Sequence, residues 1–295
     1  MTIVFAIVGR NLRMFFRDPM NVFFSLLGAL ILFGLYTLFL GNLQTADLAD
    51  SLPGATEGEV QAFIDSWMFA GIVLITTVTT VTTGMGGIAV LTDDGASGRF
   101  RDFLVSPVRR GQLVLGYLLA AAAVALMLST FVLVLAVGYL GLLRGTWLPV
   151  GNVITAFAVV VLSCLAFTSL SAFIVTFVRT NGAFSALATI VGTVLGFIAA
   201  AYIPIGAFPE TVADVVAALP FAQAGMLLRR QFSDGALATI TADAPGAEEQ
   251  LRLLYGLDLQ IGDWTVTAWF VVAALVALTI VCTALSAVRI RSRIR

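Results

Sequence analysis

Six stretches of this sequence contain no Asp, Glu, Lys or Arg: 19–46, 66–92, 111–143, 145–178, 180–209 and 264–288. Each reaches the roughly 20 residues that an α-helix needs to cross the hydrocarbon core of a bilayer. A charge at the bilayer centre costs about 2.5–3.5 kcal/mol on insertion scales, so lipid pushes charges to the ends of spans. Only 11% of the chain is charged and 60% is apolar, whereas a soluble domain carries about 25% charged residues. The pattern predicts an all-α polytopic membrane protein with six transmembrane helices.

Arginine sets the orientation, because the chain has no Lys. Arg10, Arg13, Arg17, Arg99, Arg101, Arg109, Arg110, Arg179, Arg289, Arg291, Arg293 and Arg295 fall on one side, with the acids Asp18, Asp93, Asp94 and Asp102. The other side holds Arg144, Arg229, Arg230 and Arg252 with all the remaining acids. The positive-inside rule makes the Arg-rich side cytoplasmic and predicts both termini inside. The first span is too long for a signal core and has no positive region at its extreme start, so it is expected to stay. Cys164 and Cys282 fall within spans, where small apolar side chains pack. There is no His, which excludes His-ligated zinc and His-based triads.

Along the chain, residues 3–17 are amphipathic. Val4, Phe5, Val8, Leu12, Phe15 and Phe16 share one face and Arg10, Arg13 and Arg17 the other. That predicts an interfacial helix over 1–19, ended by Pro19. Residues 41–65 read as an acidic outer loop. The second span, 66–91, carries Thr76, Thr77, Thr79, Thr80, Thr82 and Thr83. They form either a packing face or, through Thr76, Thr80 and Thr83, a polar wall of a substrate path. The segment 204–264 is extracytoplasmic. Its Pro204, Pro209 and Pro220 and its short apolar runs predict re-entrant or interfacial short helices. Arg229-Arg230 then open a polar outer loop, with a short helix at 247–256.

Residues 91–111, LTDDGASGRFRDFLVSPVRRG, form the longest polar insert on the cytoplasmic side. Phe100, Phe103 and Leu104 share a face at helical spacing. A Phe-Phe-Leu face with no cover in its own loop predicts a short helix docked on a partner.

Energy must come from elsewhere. A phosphate-binding loop needs a Lys before its Ser or Thr, and the chain has none. No span carries the Asp, Glu or His expected of a proton relay.

The segment DDGASGRFRDFLVSPVRR resembles the cytoplasmic loop between the second and third spans of type-2 ABC exporter permeases. Asp94, Gly98, Phe103, Leu104, Ser106, Pro107 and Arg109 occupy the matching positions. YIPIGAFPETVADVVAALPFAQAGMLLRR is similar to that family's Pro-punctuated outer segment. Where many members show Gly-Thr-x-Glu, this chain has Gly98-Arg99-Phe100-Arg101, with acid at Asp102.

The resemblance implies one permease domain over 1–295, with 92–111 as an ATPase-coupling loop. It implies a second permease subunit, identical or different, and separate cytoplasmic ATPase subunits that bind the ATP and Mg. No cofactor on this chain and no nucleic-acid partner is expected. Cargo in such systems spans drugs, antibiotics, lipids and polysaccharides. Two other readings stay open: a non-transporting scaffold or sensor coupled to an ATPase, and an ion-driven carrier.

Overall fold

A computed structural model of the chain describes residues 2–52, 54–96, 110–178, 181–201 and 203–293. Helix α1 (Thr2–Arg17) is followed at once by α2 (Pro19–Leu35). Asp18 joins them. Its carboxylate accepts from the N–H groups of Met20 at 3.1 Å and Asn21 at 3.2 Å, and Pro19 takes the first helical position. Both features favour a helix start. So Pro19 opens the second helix as much as it closes the first.

The apolar stripe of α1 is not left wholly to lipid. Val4, Val8, Leu12 and Phe15 on it are half-buried; Ile7, beside the stripe, is buried, and a Cβ on Gly116 of the third long helix would sit 2.9 Å from its side chain. Phe5 and Phe16 stay exposed. Arg10 donates to the Tyr117 hydroxyl at 2.7 Å and lies over the same ring.

The stretch 41–65, expected as a loop, is mostly helical. A π-turn at Tyr36–Leu40 leads from α2 into α3 (Gly41–Ser51), and α4 (Glu57–Ala96) starts soon after. Thr56 and Glu59 make a reciprocal capping box: Glu59 N–H donates to Thr56 Oγ1 at 3.3 Å, and Thr56 N–H to Glu59 Oε2 at 2.9 Å. At 40 residues, α4 is about 60 Å long, twice the bilayer core. It is the central strut, packed on α2, α3 and four of the later helices.

The chain continues as α5 (Arg110–Leu143), α6 (Val150–Val175) and α7 (Asn181–Ile198). A 3-10 turn (Ile205–Ala207) then leads to α8 (Glu210–Ala218), α9 (Pro220–Ile240) and α10 (Pro245–Leu254). A two-stranded antiparallel hairpin pairs Gln260 with Thr265 and Ile261 with Trp264, and α11 (Ala268–Arg293) follows. Gly262, at φ 57°, makes the tight hairpin turn possible. Prolines start helices here: Pro149 and Pro209 precede α6 and α8, while Pro220 and Pro245 lie in the first turns of α9 and α10.

Five helical stretches among the described residues are long and apolar enough to cross a membrane. The count is six if α8 and α9, bent by 86° at their junction, make one broken span. The all-α polytopic class therefore stands. The fifth predicted span, 180–209, corresponds to the shorter α7. The polar loop expected after Arg229-Arg230 is instead the second half of α9.

Candidate functional site

The face of α9 that meets the bundle runs through Ala222, Gly225, Met226, Arg229, Phe232, Ser233 and Leu237, all buried. The spacing is that of one helical stripe. Arg229 thus lies on the apolar face, whereas Arg230 lies a hundred degrees away. Arg229 is 1% exposed, although the sequence placed it at the start of a solvated loop.

What surrounds this guanidinium comes from four other segments. Its Cζ stands 5.3 Å from the centre of the Trp67 ring on α4, within cation–π range. Trp67 is held in place by its indole N–H, which donates to the Tyr255 carbonyl at 2.7 Å. Tyr36, in the π-turn after α2, stands edge-on to Trp67 at 6.0 Å, and Tyr255 does so at 5.4 Å. Arg229 Nη2 donates to the Ala200 carbonyl just past α7. Its Nε and Nη1 donate to no protein atom among the described residues. A side chain at Gly256 would meet Nη1 at 2.6 Å, and the residue's φ is 69°. Space and backbone both require glycine there.

Ala200 explains why a cation suits this place. Its N–H bonds to the Phe197 carbonyl at 2.9 Å and the next N–H, of Ala201, reaches Gly196 at 3.3 Å. This is a Schellman ending with Ala where Gly is usual. Ala200 has φ 51°, a left-handed conformation that costs an L-residue about 1–2 kcal/mol. A positive group at a helix C-terminus is favoured by the macrodipole. Arg229 therefore caps α7 from a neighbouring helix and holds a strained residue in place. Packing is tight on the other side too: a Cβ on Gly71 of α4 would sit 3.1 Å from the Ala201 carbonyl.

Two ion networks fasten the same end of the bundle. Asp65 on α4 is buried; Gln61 donates to its Oδ1 at 2.9 Å, and Thr45 of α3 donates to Gln61 at 3.0 Å. Arg144 Nε lies 2.9 Å from Asp65 Oδ2 as an ionic contact without hydrogen-bond alignment. The second network centres on Asp258. Arg230 pairs with its Oδ1, and Arg252 Nε donates to Oδ2 at 2.6 Å while Nη1 reaches Asp234 at 2.9 Å. Burial opposes the Asp258 carboxylate, but Arg252 and Arg230 outweigh it and hold its pKa below the usual range. A depressed folded pKa adds stability above the unfolded value, about 3.9, that is lost as pH falls through the folded one. Asp258→Asn is expected to cost about 2 kcal/mol at pH 7. That gap should close on acidification below about pH 4, as followed by thermal melting at a series of pH values.

The residues singled out from sequence are distributed differently. Positions 97–109, and with them Gly98, Arg99, Phe100, Arg101, Asp102, Phe103, Leu104, Ser106, Pro107 and Arg109, lie outside the described residues. Asp94 falls within the C-terminal end of α4. Thr76 is buried, and its hydroxyl donates to the Ile72 carbonyl at 2.8 Å. Thr77, Thr79 and Thr82 likewise bond to carbonyls of their own helix. The side chains of Thr80 and Thr83 are outside the described set. The Arg229 cluster was not anticipated, although the α9 stripe carries its signal.

A long central strut, apolar helices around it and a broken helix pair at one end define a multi-pass membrane bundle. Residues 42–288 match the ABC-2 family transporter proteins. The match covers most of the chain, and the chain belongs to that family. No curated protein matches it. Members of the family are membrane permeases of ABC transport systems, working with ABC ATPase subunits, so this chain is a membrane-embedded permease.

Proposed function

We propose that the chain is the membrane-spanning subunit of an ATP-driven exporter and forms the substrate path with a second permease subunit. The observation that carries this is the family match over 42–288 on a bundle of long apolar helices. ATP and Mg belong to a separate cytoplasmic ATPase, since the sequence has no Lys to serve a phosphate-binding loop. The Arg asymmetry puts both termini and the 92–111 loop in the cytoplasm. The 86° bend between α8 and α9 then suits a re-entrant pair on the outer side. Asp94 and the segment from Gly98 to Arg109 supply the contact that passes the ATPase motion to the spans. Thr76, Thr80 and Thr83 supply a polar wall of the substrate path. The cargo is an amphipathic compound of the drug, antibiotic or lipid kind.

The test is reconstitution. Vesicles with this chain and its ATPase should accumulate an amphipathic dye only when ATP is present, and the purified chain alone should hydrolyse no ATP. Flux that follows an ion gradient and ignores ATP would favour a secondary carrier. ATP hydrolysis by the complex without flux of any tested amphiphile would favour a sensor.

A further inference from the structure

A cavity of about 470 Å³ lies beneath α1, between α2, α4 and α5. We propose that it is a binding site for a phospholipid, one acyl chain in the cleft and the phosphoglycerol head at its α1–α2 end.

The walls have a gradient. Asp18 and Asn21 stand where α1 meets α2, Asn11 lies nearly two turns earlier on α1, and Gly28, Ala121 and Val124 stand at the far end. From Asn21 to Gly28 the cleft follows α2 for seven residues, about 10 Å. The mouth opens on an apolar surface. Two residues of its rim, Met14 and Phe24, are 54% and 59% exposed. Beside them Met20 and Phe23 are exposed as well. An apolar rim on a membrane protein faces acyl chains rather than water, so the occupant enters sideways from the bilayer.

The hydroxyls of Thr79, Thr82 and Ser25, which line the cleft, all donate to carbonyls of their own helices. They ask for no partner from the occupant, which suits a hydrocarbon. Room is present as well: a Cβ on Gly28 would meet nothing within 4 Å.

The polar end suits a phosphoglycerol group. Asn11 and Asn21 supply amide donors, and Arg13 and Arg17 lie exposed on α1 nearby. Asp18 is the acid in the lining, and its Oδ1 is occupied by two N–H groups at the start of α2. The positive end of that helix offsets its charge. A helix that lies in the interface with Arg toward the headgroups puts this end at the right depth. The site lies within one subunit and needs neither ATP nor the second permease, so it stands or falls apart from the exporter reading.

The test uses the full chain, passed through vesicles of phosphatidylethanolamine and phosphatidylglycerol, re-extracted in detergent and weighed by native mass spectrometry. Wild type should retain one phospholipid per chain. Gly28→Leu and Ser25→Leu, which fill the cleft from one wall, should each retain roughly tenfold less, the loss expected for about 1.4 kcal/mol. Gly34→Leu is the control. It lies on the same helix, also with nothing within 4 Å of its Cβ, and outside the cleft. It should keep the lipid. If Gly28→Leu fails to fold, Ser25→Leu decides. The assignment is overturned if wild type retains no phospholipid, if the filled variants retain as much as Gly34→Leu, or if only free fatty acid is held.

Discussion

Arg229→Ala should lower the stability of the isolated chain by about 4 kcal/mol, and Arg229→Met by less than half of that. Truncating a large buried side chain costs about 3–5 kcal/mol, mostly for the cavity left behind. The Ala200 carbonyl would also lose its donor, and an unsatisfied buried polar group costs about 1–3 kcal/mol. The guanidinium's own desolvation works the other way. No carboxylate pairs with it among the described residues. What offsets its burial is the Trp67 ring, the Ala200 carbonyl and the end of α7. Met fills much of the same volume and has no charge to desolvate, and exchanges of buried ions for apolar side chains are often tolerated. Cys164 and Cys282 are both buried, so their reaction with a thiol dye reports unfolding directly. The melting point should drop by about 10 °C for Ala and clearly less for Met. Equal losses in the two variants would mean that the charge itself holds this junction, and the balance argued here would be wrong.

The reach of the sequence can be traced to particular elements. Spans were legible because lipid forbids charge at mid-bilayer, and the ends found for α5, α6 and α11 lie within a few residues of those expected. The α1 boundary was equally clear, since Asp18 and Pro19 are strong local signals. The region 41–65 was misjudged for a definite reason. Its acids Asp47, Asp50, Glu57 and Glu59 suggest a loop, but a polar helix has no apolar period to betray it. Thr56 and Glu59 did spell a capping box. The second half of α9 failed in a similar way. Ser233, Asp234 and Gly235 have weak helix propensity, yet burial of Phe232, Leu237 and Ile240 in the bundle overrides it. The Arg229 site depends on five segments far apart in the chain. Its cation could be placed on the buried stripe from spacing alone, but neither the left-handed Ala200 nor the Trp67 platform has a local signature. Two-residue strands such as Gln260–Ile261 are below what alternation can reveal.

The largest functional effect is expected in the loop 92–111, which the positive-inside rule predicts to be cytoplasmic and where the argument rests on sequence. In the segment Gly98 to Ser106, Phe100, Phe103 and Leu104 recur at helical spacing, and Arg99 and Asp102 point elsewhere on the wheel. Asp93 and Asp94, in the last turn of α4, come just ahead of it. Pro107 follows in the sequence, and then Arg109 and Arg110, which suit the headgroup region. Aromatic side chains at the centre of an interface carry much of its binding energy. Phe103→Ala should therefore weaken ATPase association by about 2 kcal/mol, roughly 30-fold in affinity. Phe100→Ala together with Phe103→Ala should abolish ATP-driven flux. Membrane insertion should be unaffected, because no predicted span contains either residue. The comparison is ATPase co-purification and vesicle transport for wild type, both single variants and the double variant. If the double variant keeps both its ATPase and its transport, the loop is not the coupling element, and the motion must enter through another segment, such as residues 179–181.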